Sequence, residues 1–277
     1  MATESIARHA TRSFVVAVNA TGACSETLDT AALLAAAEGA ELEVVFVEDA
    51  NLLRLADLPV THEIDRTSGA IREIDTRRVL RALEVEARRL RREVERIGST
   101  RAVRSTLRVA RGHIFSEALS ASARVEVTFV HAAARAFAGD PRVGHRPTSK
   151  SATRRGGVAH GARRQPVCCL YEGGPDGARA LATAAKLAKA LECRLMVLIP
   201  CHRAEEAEAR ARELATRIEE IELRFFEVAE NRSAFEAGVL VPRASRLLVV
   251  AKTSPSLQGE AARRALESLP LPLVLVA

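Results

Sequence analysis

The chain has 277 residues, 48% of them hydrophobic and 27% charged, with five cysteines and no tryptophan, a length and composition that allow one or two packed domains. No run of eighteen apolar residues occurs, and the N-terminus MATESIARHATRS lacks the basic-then-apolar order of a signal peptide, so no membrane span or secretion is expected and a cytoplasmic protein is. The formal charge of +6 is local: between His131 and Gln165, Arg135, Arg142, Arg146, Lys150, Arg154, Arg155, Arg163 and Arg164 stand against Asp140 alone, a surplus of +7 that leaves the remainder near −1.

In chain order, FVVAV at 14–18 predicts a strand buried on both faces. Asn19, Ala20, Thr21 and Gly22 make the turn after it. Ser25 suits the N-cap of the next helix, which Gly39 closes as a C-cap glycine, and Leu42 to Val47 return as a second strand. Two strands joined by one helix must run parallel, with a right-handed crossover. From 48 to 75 the sequence carries Leu52, Leu53, Leu55 and Leu58 ahead of Pro59, which predicts a helical turn and then a long loop. Thr76 then caps a long helix with Leu80, Leu83, Ala87, Leu90, Val94 and Ile97 at steps of three and four, nearly a heptad seam. On so arginine-rich a helix, one face on a sheet and the rest in solvent is expected, with a partner helix as the alternative. Residues 103–110 alternate as a half-exposed third strand, Ile114 to Ala123 form a short helix, and VEVTFV at 125–130 is a fourth strand. From 131 to 165 no apolar run appears and Gly, Pro, Ser and Arg dominate, as in a mobile connector.

The second half opens with VCCLY at 167–171 and the turn GGPDG, where Asp176 suits a cap. LATAAKLAKALECRLMVLI at 181–199 then repeats LDTAALLAAAEGAELEVVF at 28–46, 153 positions on and without a gap. Leu28, Thr30, Ala31, Ala32, Leu34, Ala35, Ala37, Leu42 and Val44 meet identical residues at Leu181, Thr183, Ala184, Ala185, Leu187, Ala188, Ala190, Leu195 and Val197. The chain therefore reads as two copies of one α/β unit. The expected domains are 1–130, a basic connector at 131–165, and 166–277. The second copy continues with a charged helix at 204–220, a strand at 223–228, a short helix at 235–244, a strand at 246–251 and a helix at 260–269. Its fifth strand, LPLVLVA, is introduced by Pro270 and Pro272. The first half has no such strand, so the edge of its fourth is expected to be bare and to recruit a loop, a domain, a homodimer mate or a protein partner.

This order of elements resembles the universal stress protein family in tandem form, at FVVAVNATGACSETLDTAALLAAAEGAELEVVFVED, at V-A-x-x-H-I-F-S-E-A around Gly112, and at LPLPLVLVA. The resemblance implies two Rossmann-like parallel-sheet units paired into a dimer-like body and, in many members, an adenine nucleotide above the sheet. Nucleotide-binding members carry an aspartate after the first strand and a G-x2-G-x9-G-[S/T] loop after the fourth, whose glycines let backbone amides reach phosphates. Here the aspartate positions hold Asn19 and Glu172. After the fourth strand of the second half, KTSPSLQGEAARRALE offers Gly259 alone; in the first half Gly139, Gly144, Gly156, Gly157 and Gly161 have the wrong spacing. The phosphate cradle is missing from both halves.

An open parallel sheet binds ligands at the carboxyl ends of its strands. The candidates there are Asn19, Thr21, Glu48, Asp49, Gly173, Gly174, Lys252, Thr253 and Ser254. His62 with Glu63, and His131, His145 and His160 on the connector, have no helical i, i+4 spacing or neighbouring cysteine, so no metal is expected. The five cysteines, Cys24, Cys168, Cys169, Cys193 and Cys201, hold no C-x-x-C pair and are expected as reduced thiols. No G-x-S-x-G elbow and no nucleophile with a local base occurs, so no catalytic residue and no enzyme is expected. Without interleaved aromatics the basic connector is expected to be a solvated linker rather than a nucleic-acid site. The expected function is a non-enzymatic, stress-related regulatory or protein-interaction module without a cofactor. The alternative is a binder of ATP, AMP or a small metabolite through an atypical loop near Lys252 and Thr253.

Overall fold

The computed structural model describes residues 12–20, 24–58, 61–64, 69–73, 76–131, 165–201, 214, 221–227, 245–260, 266, 269 and 271–277. The chain divides into two compact units, residues 1–132 together with 273–277, and residues 133–272. The last five residues thus group with the first half, not with the 166–277 domain expected for them.

The first unit runs β1 (Ser13–Asn19), α1 (Ser25–Glu38), β2 (Glu41–Asp49), α2 (Ala50–Ala56), β3 (His62–Ile64), β4 (Ile71–Glu73), α3 (Thr76–Arg101), β5 (Ser105–Gly112), α4 (Ile114–Ser122) and β6 (Val127–His131). β2, β1 and β6 follow β5 side by side in one parallel sheet. β1 is buried at every position from Phe14 to Val18, as its continuous apolar run requires of a strand covered on both faces. On one face Val15, Val45 and Val47 meet Ala121 of α4. On the other lies α3, which buries Leu83, Leu90, Val94 and Ile97 and leaves Leu80 exposed. The near-heptad seam is therefore spent on this unit's own core. A Cβ at Gly98 would stand 2.2 Å from the Ser105 hydroxyl, so only glycine lets α3 close this far onto β5.

Several local expectations shift. Gly39, at φ 62, does end α1, but the N-cap is Cys24; Ser25 is the first helical residue, and its hydroxyl donates to Glu93 of α3 at 2.8 Å. Thr76 opens α3 and donates to Asp57 at 2.7 Å. The loop expected after α2 contains the β3–β4 hairpin, in which Ile64 pairs with Ile71. β5 extends to Gly112 rather than stopping before it, and His131 belongs to β6, not to the connector. Residues 132–164, with His145, His160 and the expected mobility of the linker, lie outside the described residues.

The largest difference concerns the fourth strand's edge. A final strand, β11 (Leu273–Val276), runs antiparallel along β6, from Leu273 opposite Val130 to Val276 opposite Val127. The Ala277 amide adds a 2.9 Å bond to the Glu126 carbonyl. The first half lacks a fifth strand of its own, and the end of the chain supplies one. The edge expected to be bare, and to recruit a homodimer mate or partner, is paired within the chain.

The second unit comprises β7 (Val167–Leu170), α5 (Gly174–Ala190), β8 (Leu195–Cys201), β9 (Ile221–Glu227), β10 (Leu247–Ala251) and a 3-10 turn at Pro255–Leu257. Its strands lie in the order β10, β7, β8, β9, all parallel. The helices expected at 204–220, 235–244 and 260–269 fall almost wholly outside the described residues. The sequence repeat is explained by burial: Leu28, Ala31, Leu34 and Ala35 of α1 are core residues, and so are Leu181, Ala184, Leu187 and Ala188 of α5. Cys168 and Cys169, on opposite faces of β7, are both fully buried, and all five cysteines are free thiols.

Candidate functional site

The carboxyl ends of β7 and β10 converge in the second unit. After β7 come Tyr171, which is buried, then Glu172, Gly173 and Gly174, with α5 starting at Gly174. Gly173 and Gly174 have φ of 88 and 72, a left-handed pair that only glycine adopts without strain; space is not the reason, since a Cβ at either would touch nothing. Gly173 is the N-cap, so Asp176 sits inside the first turn instead of capping it. There its charge suits the positive end of the helix dipole.

After β10 the chain turns at Lys252 and Thr253, and the Ser254 amide bonds back to the Ala251 carbonyl at 3.0 Å. Ser254 and Ser256 are 4% and 2% exposed, and both hydroxyls donate to Glu172, one to each carboxylate oxygen. The Ser254 hydroxyl also accepts the Ser256 amide at 3.2 Å, which caps the 3-10 turn. Thr253 donates to one oxygen of Asp176 and Arg179 to the other, the latter at 2.5 Å. The structure thus brings together Gly173, Gly174, Thr253 and Ser254 from the expected set, adds Glu172, Asp176 and Ser256, and leaves Lys252 half-buried on the turn.

Chemically this is a closed arrangement. A phosphate at these strand ends would need hydroxyl and amide donors and a positive field. Here three hydroxyls are committed to two carboxylates, whose charge repels an anion. In the first unit the end of β2 is also engaged: Glu48 holds Arg111 at 3.0 Å, and the Asp49 carboxylate caps α2 by accepting the Asn51 amide at 2.8 Å. Asn19 ends β1, half-buried, and Thr21 lies outside the described residues. Among the described residues no group of three or more His, Cys, Asp or Glu side chains could hold a metal, and no helix is long and apolar enough to cross a membrane.

His131 was set aside in the sequence as a linker residue, yet at the end of β6 its Nδ1 lies 2.9 Å from the Thr27 hydroxyl of α1. Burial pushes its pKa below the ordinary value, and the nearby Glu26 opposes this only in part. The folded unit therefore prefers the neutral ring. The unfolded chain takes up the proton more readily, so the stability this group contributes is complete above about pH 6.5 and declines as the pH falls below it. Urea unfolding between pH 8 and pH 5 should show this decline, and His131→Asn should flatten it; equal slopes for the two proteins would show that the ring takes no part.

No family model and no curated protein sequence matches the chain. Solved structures do. A universal stress protein from Archaeoglobus fulgidus DSM 4304 superposes over 95% of this chain and 95% of its own, with a TM-score of 0.50 and 11% identity. The chain has the universal-stress-protein fold. A putative universal stress protein from Pseudomonas aeruginosa UCBPP-PA14 is also similar, over 96% of this chain and 93% of its own, with a TM-score of 0.43 and 14% identity. At such identities the likeness is one of fold. Within that universal-stress architecture, the carboxyl ends of β7 and β10 are where an open parallel sheet presents a ligand, and here they carry the Glu172 and Asp176 network.

Proposed function

We propose that this chain is a non-enzymatic, stress-related regulatory module that acts by binding another protein and holds no adenine nucleotide. One observation carries the reading: the hydroxyl donors that follow β10 are turned onto Glu172 and Asp176, in the place where a phosphate would need them. A universal-stress fold closed in this way keeps a rigid α/β body while losing the means to hold a nucleotide, and a rigid body with exposed helices is suited to contact between proteins.

The test is a thermal melt of the full chain with and without magnesium ATP, AMP and sulfate. A ligand at about a hundred times its dissociation constant adds roughly 2.7 kcal/mol, which moves the midpoint by several degrees. No nucleotide-specific shift is expected. A shift with ATP or AMP beyond that with sulfate would overturn the reading and favour a nucleotide or metabolite site at the strand ends near Lys252 and Thr253.

A further inference from the structure

The most charge-segregated element of the first unit is α3. Between Thr76 and Arg101 it carries nine arginines and four glutamates. Its buried seam of Leu83, Leu90, Val94 and Ile97 faces the core, so at 3.6 residues per turn Arg78, Arg81, Val85, Arg88 and Arg92 fall on the opposite side, in one stripe about 21 Å long. All five are exposed, and Val85 is 63% so. No acidic residue stands on this stripe. Three of the four glutamates lie beside it and hold arginines, Arg88 of the stripe among them: Glu84 holds Arg88 at 2.6 Å, Glu86 holds Arg89 at 3.8 Å and Glu93 holds Arg96 at 2.8 Å; the fourth, Glu95, is exposed beyond Arg92 at the stripe's carboxyl end. The helix therefore displays a basic ridge with an apolar residue, Val85, at its middle.

We infer that this ridge docks an acidic amphipathic helix of a partner protein, its carboxylates on Arg81 and Arg92 and an apolar residue on Val85. The inference rests on the proposed protein-binding role and names its surface. The charge sequence selects the partner. Arginine forks pair with carboxylates in two-bond contacts, and an exposed apolar residue inside a basic stripe matches an acidic helix with its own apolar line. A nucleic acid fits less well, because the ridge carries no aromatic side chain for base stacking. The flanking glutamates would also repel a continuous phosphate backbone.

The experiment uses the full chain and a fluorescent synthetic helical peptide of leucine and glutamate with leucines at i, i+3, i+4 and i+7. A control peptide carries lysine for glutamate, and a 20-base-pair duplex and phosphatidylserine vesicles serve as competing probes. Saturable binding of the glutamate peptide is expected, with little binding of the lysine peptide. Arg81→Glu with Arg92→Glu should weaken it about tenfold or more and favour the lysine peptide instead, and Val85→Ser should weaken it alone. These surface changes should leave the melting midpoint within about 2 °C of wild type, so a loss of binding is not a loss of fold. Equal binding of both peptides, or variants that bind like wild type, would sink the inference; so would tighter binding to the duplex or vesicles that the same substitutions remove. A nucleotide-specific melt shift with the peptide result intact would overturn the proposed function and leave the ridge standing, whereas peptide failure without such a shift removes only the ridge.

Discussion

A chain ending at Pro272 is expected to lose the cooperative unfolding of its first unit, although the residues removed are remote in sequence from the strand they complete. Leu273, Val274, Leu275 and Val276 are all buried in β11. Burying one such side chain contributes about 1.5–3 kcal/mol, so four of them approach the whole stability of an ordinary domain, about 5–15 kcal/mol. The truncation also strips β6 of its ladder and leaves Val127 to Val130 as a short apolar edge, a template for pairing with another chain. Two readouts are expected together: a lower urea midpoint, and concentration-dependent association in sedimentation. Adding the heptapeptide LPLVLVA in trans should reverse both in part, since main-chain bonds to β6 would be remade by strand addition. A milder version is Val274→Asp, which sets a carboxylate opposite Phe129 at a fully buried position and should cost on the order of 3–5 kcal/mol. A truncated chain that melts like wild type would show that β11 is ornamental to the first unit.

That strand also marks where the sequence stops being informative. LPLVLVA declares itself a strand by its branched apolar run, but nothing local says which strand it joins, and the order of the repeat assigns it to the second half. The α1 and α5 repeat was legible for the opposite reason: most of its identical positions are buried in each unit's own core, Ala37 and Ala190 being exposed, so one helical period encodes one contact. The α3 seam was legible in the same way, although α3 packs on α1 as well as on β5. Ser25 and Asp176 were misassigned as caps because cap preference is a short-range bias that a register shift of one to three residues defeats; in both cases the side chain satisfied a more distant group. β3 and β4, at three residues each, are too short for alternation to show. The candidate site was half legible. Glycine at 173 and 174 signals a tight turn before a helix, and Thr253 and Ser254 signal a turn after a strand. Their joining through Glu172 spans 82 and 84 positions, and Ser256 carried no signal of its own beyond its place after Pro255.

Glu172→Ala is expected to be the most destabilising single change at the strand ends of the second unit. It removes the acceptor of two hydroxyls that are almost fully buried. Hydrogen bonds to a charged group contribute about 1.5–3 kcal/mol each, and a buried donor left without an acceptor bears its desolvation cost. A loss on the order of 3–5 kcal/mol follows, or roughly 10 °C in the midpoint. Glu172→Gln keeps acceptor capacity and should lose less than half of that. The decisive comparison is the triple variant Glu172→Ala, Ser254→Ala and Ser256→Ala. Both stranded hydroxyls are then gone and only the Ser256 amide loses its side-chain acceptor, so the triple variant should lose much less than the sum of the three single changes, a non-additivity of the kind that residues sharing one network show. Simple additivity would mean that the three groups do not act together, and the closed site would have to be abandoned. The same variants bear on function, because closure and phosphate binding compete for the same donors. If the carboxylate alone keeps anions out, Glu172→Gln should show an ATP-dependent rise in midpoint larger than that of wild type. If it does not, the carboxylate is not what governs nucleotide binding at these strand ends, and freeing the donors is not enough to hold a nucleotide.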